Sequence, residues 1–303
     1  MTEAKYVIET EREDTAMNMI RLSNGVEMPQ EGFGVFQIPD PEACRQAVAD
    51  AIGAGYRLID TAALYNNEEA VGRAVRETEE AGTVTREDLF ITTKLWTCDA
   101  SYEGAKKAFE RSVRKLGLDY LDMFMIHMPY GDVYGAWRAL EELYAEGKVR
   151  SVAVANFKPG RFTEFAETVD VKPHVNQIEL HPFFARYDSI ENMRQYGTVP
   201  QAWGPLAEGR HGIFTHPVLS GIGEGYGKTA AQVALRWNVQ RGVSVIPKST
   251  HRERMEQNLD IWDFSLTEEE MKKVDALDLG HSEIVDHDNP RVVKYFLTIR
   301  PEE

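Results

Sequence analysis

Four residues of unlike chemistry stand at or just beyond the ends of apolar runs. Asp60 closes YRLID, Lys94 closes LFITTK, His127 closes LDMFMIH, and Tyr65 follows Asp60 by five positions. A free phenol ionises at about pH 10. An adjacent ammonium favours the phenolate and lowers that value, and a carboxylate beyond the ammonium holds and orients it. If the four converge, Tyr65 is expected to donate a proton to a developing alkoxide near neutral pH, with Lys94 and Asp60 tuning it. His127 offers a hydrogen bond that orients a carbonyl oxygen. None of the four is a hydride source, so a reduction here requires a cofactor. Singly, a strand-end His, a Lys–Asp pair or a loop Tyr has an ordinary structural use. Their placement at the tips of successive runs is what points to an active site.

The elements that must position them are read from periodicity. Eight apolar runs alternate with amphipathic stretches: GFGVFQ, YRLID, DLFITTK, LDMFMIH, SVAVAN, HVNQIEL, TVPQAW and VSVIPK. Between them, segments such as PEACRQAVADAIGAG and YEGAKKAFERSVRKLG carry apolar residues at three-and-four spacing and end at Gly. Eight such units predict a (β/α)8 barrel in α/β class, whose active sites form at the C-terminal ends of the strands. The unit around SIENMRQYG is the shortest. MIRLSNGVEMP reads as a hairpin turning at Asn24-Gly25. Residues 1–18 are expected to be a polar extension and 19–303 a single barrel domain, with the C-terminal tail over the active-site face.

Composition narrows the function. The chain of 303 residues has 34 Lys and Arg against 49 Asp and Glu, a net charge of −15. That excess acid argues against nonspecific nucleic-acid binding. With two cysteines, Cys44 and Cys98, no CxxC pair and no apolar run of membrane-spanning length, the expected setting is the cytoplasm. No metal-ligand cluster stands out, and no metal is expected. The expected state is a monomer acting on a small molecule.

Two glycine runs imitate phosphate loops. GFGVFQ has Gln37 where GxGxxG needs its third Gly, and GIGEGYGKT has Ile222 where GxxxxGKT needs Gly. Gly223 and Gly225 are expected instead to end or loosen a helix before the helical AAQVALRW.

From about Met19 to Phe264 the chain resembles the aldo-keto reductase family. The resemblance is carried by MPQEGFGVFQ, YRLIDTAALYNNEEAVGRAV, LFITTKLW, LGLDYLDMFMIH, VNQIELHP, QRGVSVIPKS and NLDIWDF. It implies that Asp60, Tyr65, Lys94 and His127 form a catalytic tetrad with Tyr65 as general acid, and that NADPH rather than NADH donates the hydride. It further implies that Asn156 and Gln177 hold the nicotinamide carboxamide, that Trp203 stacks on the ring, and that Gly204, Pro205 and Leu206 run by the pyrophosphate. Lys248, Ser249, Thr250 and Arg254 match the 2′-phosphate site, and Gln257 and Asn258 the adenine end. Val35, Phe36 and Asp60 complete the cofactor side. Lys248, Arg252 and Arg254 make a basic cluster in an acidic chain, which favours the phosphorylated cofactor. Phe36, Trp96, His127 and Met128 are the expected substrate lining, suited to small aldehydes, ketones or keto-sugars. The bacterial branch typified by 2,5-diketo-D-gluconate reductase is the most similar.

Departures from the family pattern locate the open questions. Met128 replaces a Trp, which predicts a more adaptable pocket. Ala155 and Gly204 replace serines, and Gln257 a Glu, which together predict an altered grip on the cofactor. Asn66 replaces a Gly beside Tyr65, at a position that asks for positive φ. In the tail, Tyr295 and Phe296 fit equally a substrate contact or plain packing. Two rival readings are a cofactor-binding redox-sensing or regulatory barrel with little turnover, and a barrel hydrolase using Asp60 and His127.

Overall fold

The computed structural model describes residues 18–302. Most of the expected 1–18 extension therefore lies outside the described residues. The chain opens with the expected hairpin, β1 (Met19–Arg21) against β2 (Glu27–Pro29), antiparallel, with Gly25 at φ 87° in its turn. Eight parallel strands follow: β3 (Gly32–Gly34), β4 (Leu58–Asp60), β5 (Phe90–Leu95), β6 (Leu121–Ile126), β7 (Val149–Ala155), β8 (Val175–Glu179), β9 (Val199–Trp203) and β10 (Ser244–Val245). Each pairs with the next in chain order. The ring closes where Val245 N–H donates to the Gln30 carbonyl (2.9 Å) and Gly34 N–H to the Pro247 carbonyl (3.1 Å). The result is the predicted (β/α)8 barrel.

Helices connect the strands: α1 (Pro41–Ala54), α2 (Glu68–Glu80), α3 (Tyr102–Leu116), α4 (Val133–Ala145), α5 (Pro159–Thr168) and α6 (Tyr187–Gln195). Two more, α7 (Pro217–Glu224) and α8 (Ala230–Gln240), join β9 to β10, and α9 (Arg252–Leu259), α10 (Glu268–Asp275) and α11 (Pro290–Thr298) complete the chain. Their ends follow from local chemistry. Asp40 caps α1 by accepting from Ala43 N–H ahead of Pro41, and Gly55 closes it in the left-handed region. Thr229 and Gln232 form a reciprocal capping box at α8.

Burial separates two cores. Side chains on the outer faces of the strands pack under the helices, with Trp137, Trp237 and Phe165 fully buried there. Inside the barrel, Leu58, Phe90, Met123, Val175 and Val199 pack together with Leu22 and Met28 of the hairpin, which plugs the end opposite the strand tips. Gly32 faces this interior: a Cβ on it would meet Leu58 Cδ2 at 2.2 Å, so the Leu58 side chain fills the space that a larger residue would need.

The second imitation phosphate loop, GIGEGYGKT, is structural. Gly223 lies in the last turn of α7, where a Cβ would strike the Lys228 carbonyl at 2.3 Å, Gly225 caps the helix, and Lys228 pairs with Asp260 (2.7 Å) and Asp263 (2.8 Å). No helix among the described residues is long and apolar enough to cross a membrane.

Candidate active site

Asp60, Tyr65 and His127 line one end of a groove of about 890 Å³ at the barrel mouth, and Lys94 lies buried behind them. Asp60 ends β4, Lys94 lies on β5, His127 follows β6, and Tyr65 sits on a short turn of helix after β4. Lys94 is fully buried. Its Nζ donates to Asp60 Oδ1 (2.5 Å) and to the Thr61 carbonyl (2.9 Å), and lies 5.2 Å from the centre of the Tyr65 ring. The other Asp60 oxygen accepts from Gln177 Nε2 (2.9 Å). The same amide donates to Gln201 (2.8 Å), and Gln201 to Ser244 (3.1 Å), so a buried polar ladder braces the carboxylate from β8, β9 and β10. Tyr65 stands edge-on to His127 with ring centres 5.7 Å apart.

The electrostatics differ in one respect from expectation. The Tyr65 phenol is not pulled down by its ammonium neighbour. Burial, followed by the Asp60 carboxylate, pushes it well above the ordinary tyrosine value. Lys94 spends its short contacts on Asp60 and Thr61, and its own pKa is lowered by burial against the opposing pull of Asp60. His127 is held well below the ordinary histidine value, first by burial and then by Lys94, so its imidazole is neutral at physiological pH. A neutral phenol beside a neutral imidazole is a donor pair. The sign for Tyr65 is that of a raised folded-state value: the phenol form persists through its unfolded pKa, and the associated stability is lost only above it. The difference in absorbance near 295 nm between wild type and Tyr65→Phe should therefore show no Tyr65 phenolate at about pH 10. A full phenolate signal there would contradict this placement.

Almost every other residue singled out in the sequence lines the same groove. Phe36, Trp96 and Met128 border the tetrad end, together with Asn156, Gln177 and Trp203. Asn156 adopts φ 65° and is held from both sides: its Nδ2 donates to the His127 carbonyl (3.1 Å) and Met128 Sδ (3.6 Å), and its Oδ1 accepts from Trp203 Nε1 (2.8 Å). Gly204 takes φ 59°, which explains Gly at that position, and Pro205 and Leu206 follow it along the wall. Lys248, Ser249, Thr250, Arg254, Gln257 and Asn258 line the far end, at the start and inner face of α9. Ser249 Oγ accepts from His251 N–H (3.0 Å) and so shapes that turn. Neither Lys248 nor Arg254 has a carboxylate partner among the described residues.

Two expectations fail for geometric reasons. Val35 is fully buried and packs in the core under the helices, with its N–H on the Asp60 carbonyl and its own carbonyl taken by Asn67; it does not reach the groove. Arg252 pairs with Glu256 one helical turn on (2.9 Å) and is absent from the lining, so the basic cluster reduces to two cations. Asn66 behaves as its replacement of Gly requires, with φ 56°, and its Oδ1 also accepts from Glu302 N–H in the tail.

The sequence reading missed part of the lining. Gln37, at φ 62°, donates to Glu208 (3.3 Å), joining the loop after β3 to the loop after β9. Ile284, Val285, His287 and Phe296 come from the tail, which lies over the mouth as expected. Its anchors are Trp96 Nε1 on the Ile299 carbonyl (3.2 Å), Thr97 Oγ1 on Phe296 (2.9 Å), Tyr130 OH on His287 (2.6 Å) and Ser282 Oγ on Glu179 (2.5 Å). Phe296 lines the groove whereas Tyr295 is exposed.

Comparison with known proteins gives the same picture over most of the chain. Residues 32–279 match the aldo/keto reductase family. The chain is 45% identical over 257 residues to the uncharacterised oxidoreductase YtbE of Bacillus subtilis, covering 84% of this chain and 91% of that one. It is 44% identical over 259 residues to glyoxal reductase of the same organism, covering 85% and 92%. Among solved structures, a Bombyx mori aldo-keto reductase in complex with NADP superposes with a TM-score of 0.85 at 32% identity, covering 90% of this chain and 96% of that one. A family match that spans the barrel and an identity this high over nearly the whole length carry one conclusion: the chain belongs to the aldo-keto reductase family.

Proposed function

We propose that the protein reduces the carbonyl group of small aldehydes, ketones or keto-sugars with NADPH, as one barrel domain over residues 19–303. The observation that carries this reading is the shared groove: a neutral phenol and a neutral imidazole stand over a buried Lys94–Asp60 pair at one end, and two unpaired cations stand at the other.

The residues present fit the cofactor. Lys248 and Arg254 stand at the beginning of a helix, where backbone N–H groups and the helix dipole also favour an anion. Trp203 offers a planar wall held by Asn156, and Gln177 has a carbonyl oxygen with no partner among the described residues. The groove volume falls within the usual range for a ligand site, about 300–1,000 Å³. When bound, NADPH supplies the hydride. His127 would hold the substrate oxygen, and Tyr65 would give that oxygen its proton as negative charge develops. Lys94, fixed by Asp60, sets the positive field beneath the phenol. Phe36, Trp96 and Met128 would exclude water from the reacting end.

Cys44 and Cys98 are both free thiols, which supports a cytoplasmic setting, and a monomer acting on small molecules is the proposed state. The substrate range is proposed to extend to keto-sugars of the 2,5-diketo-D-gluconate kind.

The test is a panel of aldehydes, ketones and keto-sugars assayed with NADPH and NADH in parallel. Turnover with NADPH well above that with NADH is expected. Arg254→Ala should weaken NADPH binding by about tenfold to a hundredfold, the scale of one charge-assisted hydrogen bond, while changing NADH binding little. Fluorescence titration checks both. Equal weakening for the two cofactors would remove Arg254 from phosphate recognition.

A further inference from the structure

The wall around the reacting end is a chain of rings from four parts of the sequence. Trp96 lies edge-on to His127 (5.0 Å between centres) and to Phe296 (5.6 Å), Phe296 lies 6.1 Å from His287, and His287 is edge-on to Trp203 (6.2 Å). The two indole N–H groups in this wall are already used, on the Ile299 carbonyl and on Asn156. Three polar ring groups are left. The Tyr65 hydroxyl and the ring nitrogens of His127 and His287 make no hydrogen bond among the described residues, and His127 Nδ1 is fully enclosed without a partner. A polar group left buried and unsatisfied in an apolar wall costs about 1–3 kcal/mol, which a matching ligand group would relieve.

Two of these three have roles in the reading above, and His287 has none. It is about nine-tenths buried and lines the groove. Tyr130 holds its backbone carbonyl, so the imidazole is presented from a fixed point of the tail. Burial pulls its pKa down to about 4, so at neutral pH it carries no charge and offers one N–H donor and one acceptor. Lys158, on the same side, is already paired with Asp286 (3.6 Å) and with Asp288.

We propose that His287 is a substrate-contacting specificity residue that hydrogen-bonds a second, uncharged oxygen close to the reacting carbonyl. The substrate class selected is dicarbonyls and hydroxyaldehydes, in preference to plain aldehydes of the same size. A carboxylate in that position would meet an uncharged ring rather than a cation, so keto acids are disfavoured there. This inference rests on the carbonyl-reductase reading.

The experiment measures kcat/KM for methylglyoxal, glyceraldehyde and propanal with the wild type, His287→Phe and His287→Gln. Phe removes both hydrogen-bonding groups, whereas Gln keeps a donor and an acceptor. The ratio of each oxygenated substrate to propanal should fall about threefold to tenfold in His287→Phe, the scale of one neutral hydrogen bond, and be largely retained in His287→Gln. An unchanged ratio in His287→Phe, or an equal fall in both variants, overturns the proposal. Should His287→Phe fail to fold, His287→Leu takes its place under the same criteria. A wild type that reduces none of the three overturns the reductase reading instead, so the two failures are distinguishable.

Discussion

Replacing Tyr65 by Phe is expected to lower kcat by about 10²- to 10⁴-fold while leaving NADPH affinity nearly unchanged. The large effect follows from the loss of the proposed proton donor. The neighbouring His127 is not a substitute, because burial and Lys94 keep its imidazole neutral. The small structural effect follows from the contacts. The Tyr65 hydroxyl has no partner among the described residues, so its removal strands no buried donor or acceptor. The ring keeps its packing against Phe36 (4.9 Å) and His127 (5.7 Å). Steady-state rates and fluorescence titration of the cofactor separate the two quantities. Wild-type turnover in Tyr65→Phe would place the proton donor elsewhere.

The second large effect is expected at Lys94. In Lys94→Met the Asp60 carboxylate keeps Gln177 but loses both its counter-charge and its 2.5 Å contact, in a site where the two side chains are 0% and 2% exposed. Breaking such a pair from one side typically costs about 3–5 kcal/mol. The Thr61 carbonyl is stranded as well. Urea denaturation should show that loss, and turnover should fall by orders of magnitude. The double variant Lys94→Met with Asp60→Asn distinguishes stability from catalysis. Removing the charge as well should restore much of the stability, because the uncompensated carboxylate is gone, but not the turnover. Recovery of both would mean that the pair only holds the fold.

The barrel was legible because parallel strands buried on both faces read as apolar runs, and DLFITTK and LDMFMIH have that form. The tetrad was legible because its members lie at strand tips, where chain position alone fixes the face of the barrel. Direction was harder to read. Val35 adjoins Phe36, yet just beyond the end of β3 Val35 turns into the helix layer while Phe36, in the turn that follows, is 49% exposed at the groove. Arg252 and Arg254 differ by two positions on a helix, about 200° apart, so one faces Glu256 and the other the groove. His287 and Phe296 carry no strand-tip signal, because the tail reaches the mouth through scattered backbone contacts with Trp96, Thr97 and Tyr130. The direction of the Tyr65 shift depends on how deeply the phenol is buried, a property of the assembled wall rather than of spacing.

The measurement that bears most directly on the central claim is a single turnover. The protein is mixed with one equivalent of NADPH, binding is verified by fluorescence, and a carbonyl substrate such as methylglyoxal is added. The predicted result is loss of absorbance at about 340 nm in step with an equal amount of alcohol, fast in the wild type and slowed by orders of magnitude in Tyr65→Phe. Tight NADPH binding with no oxidation by any carbonyl of the panel would contradict the account and favour a barrel that binds the cofactor to sense or regulate.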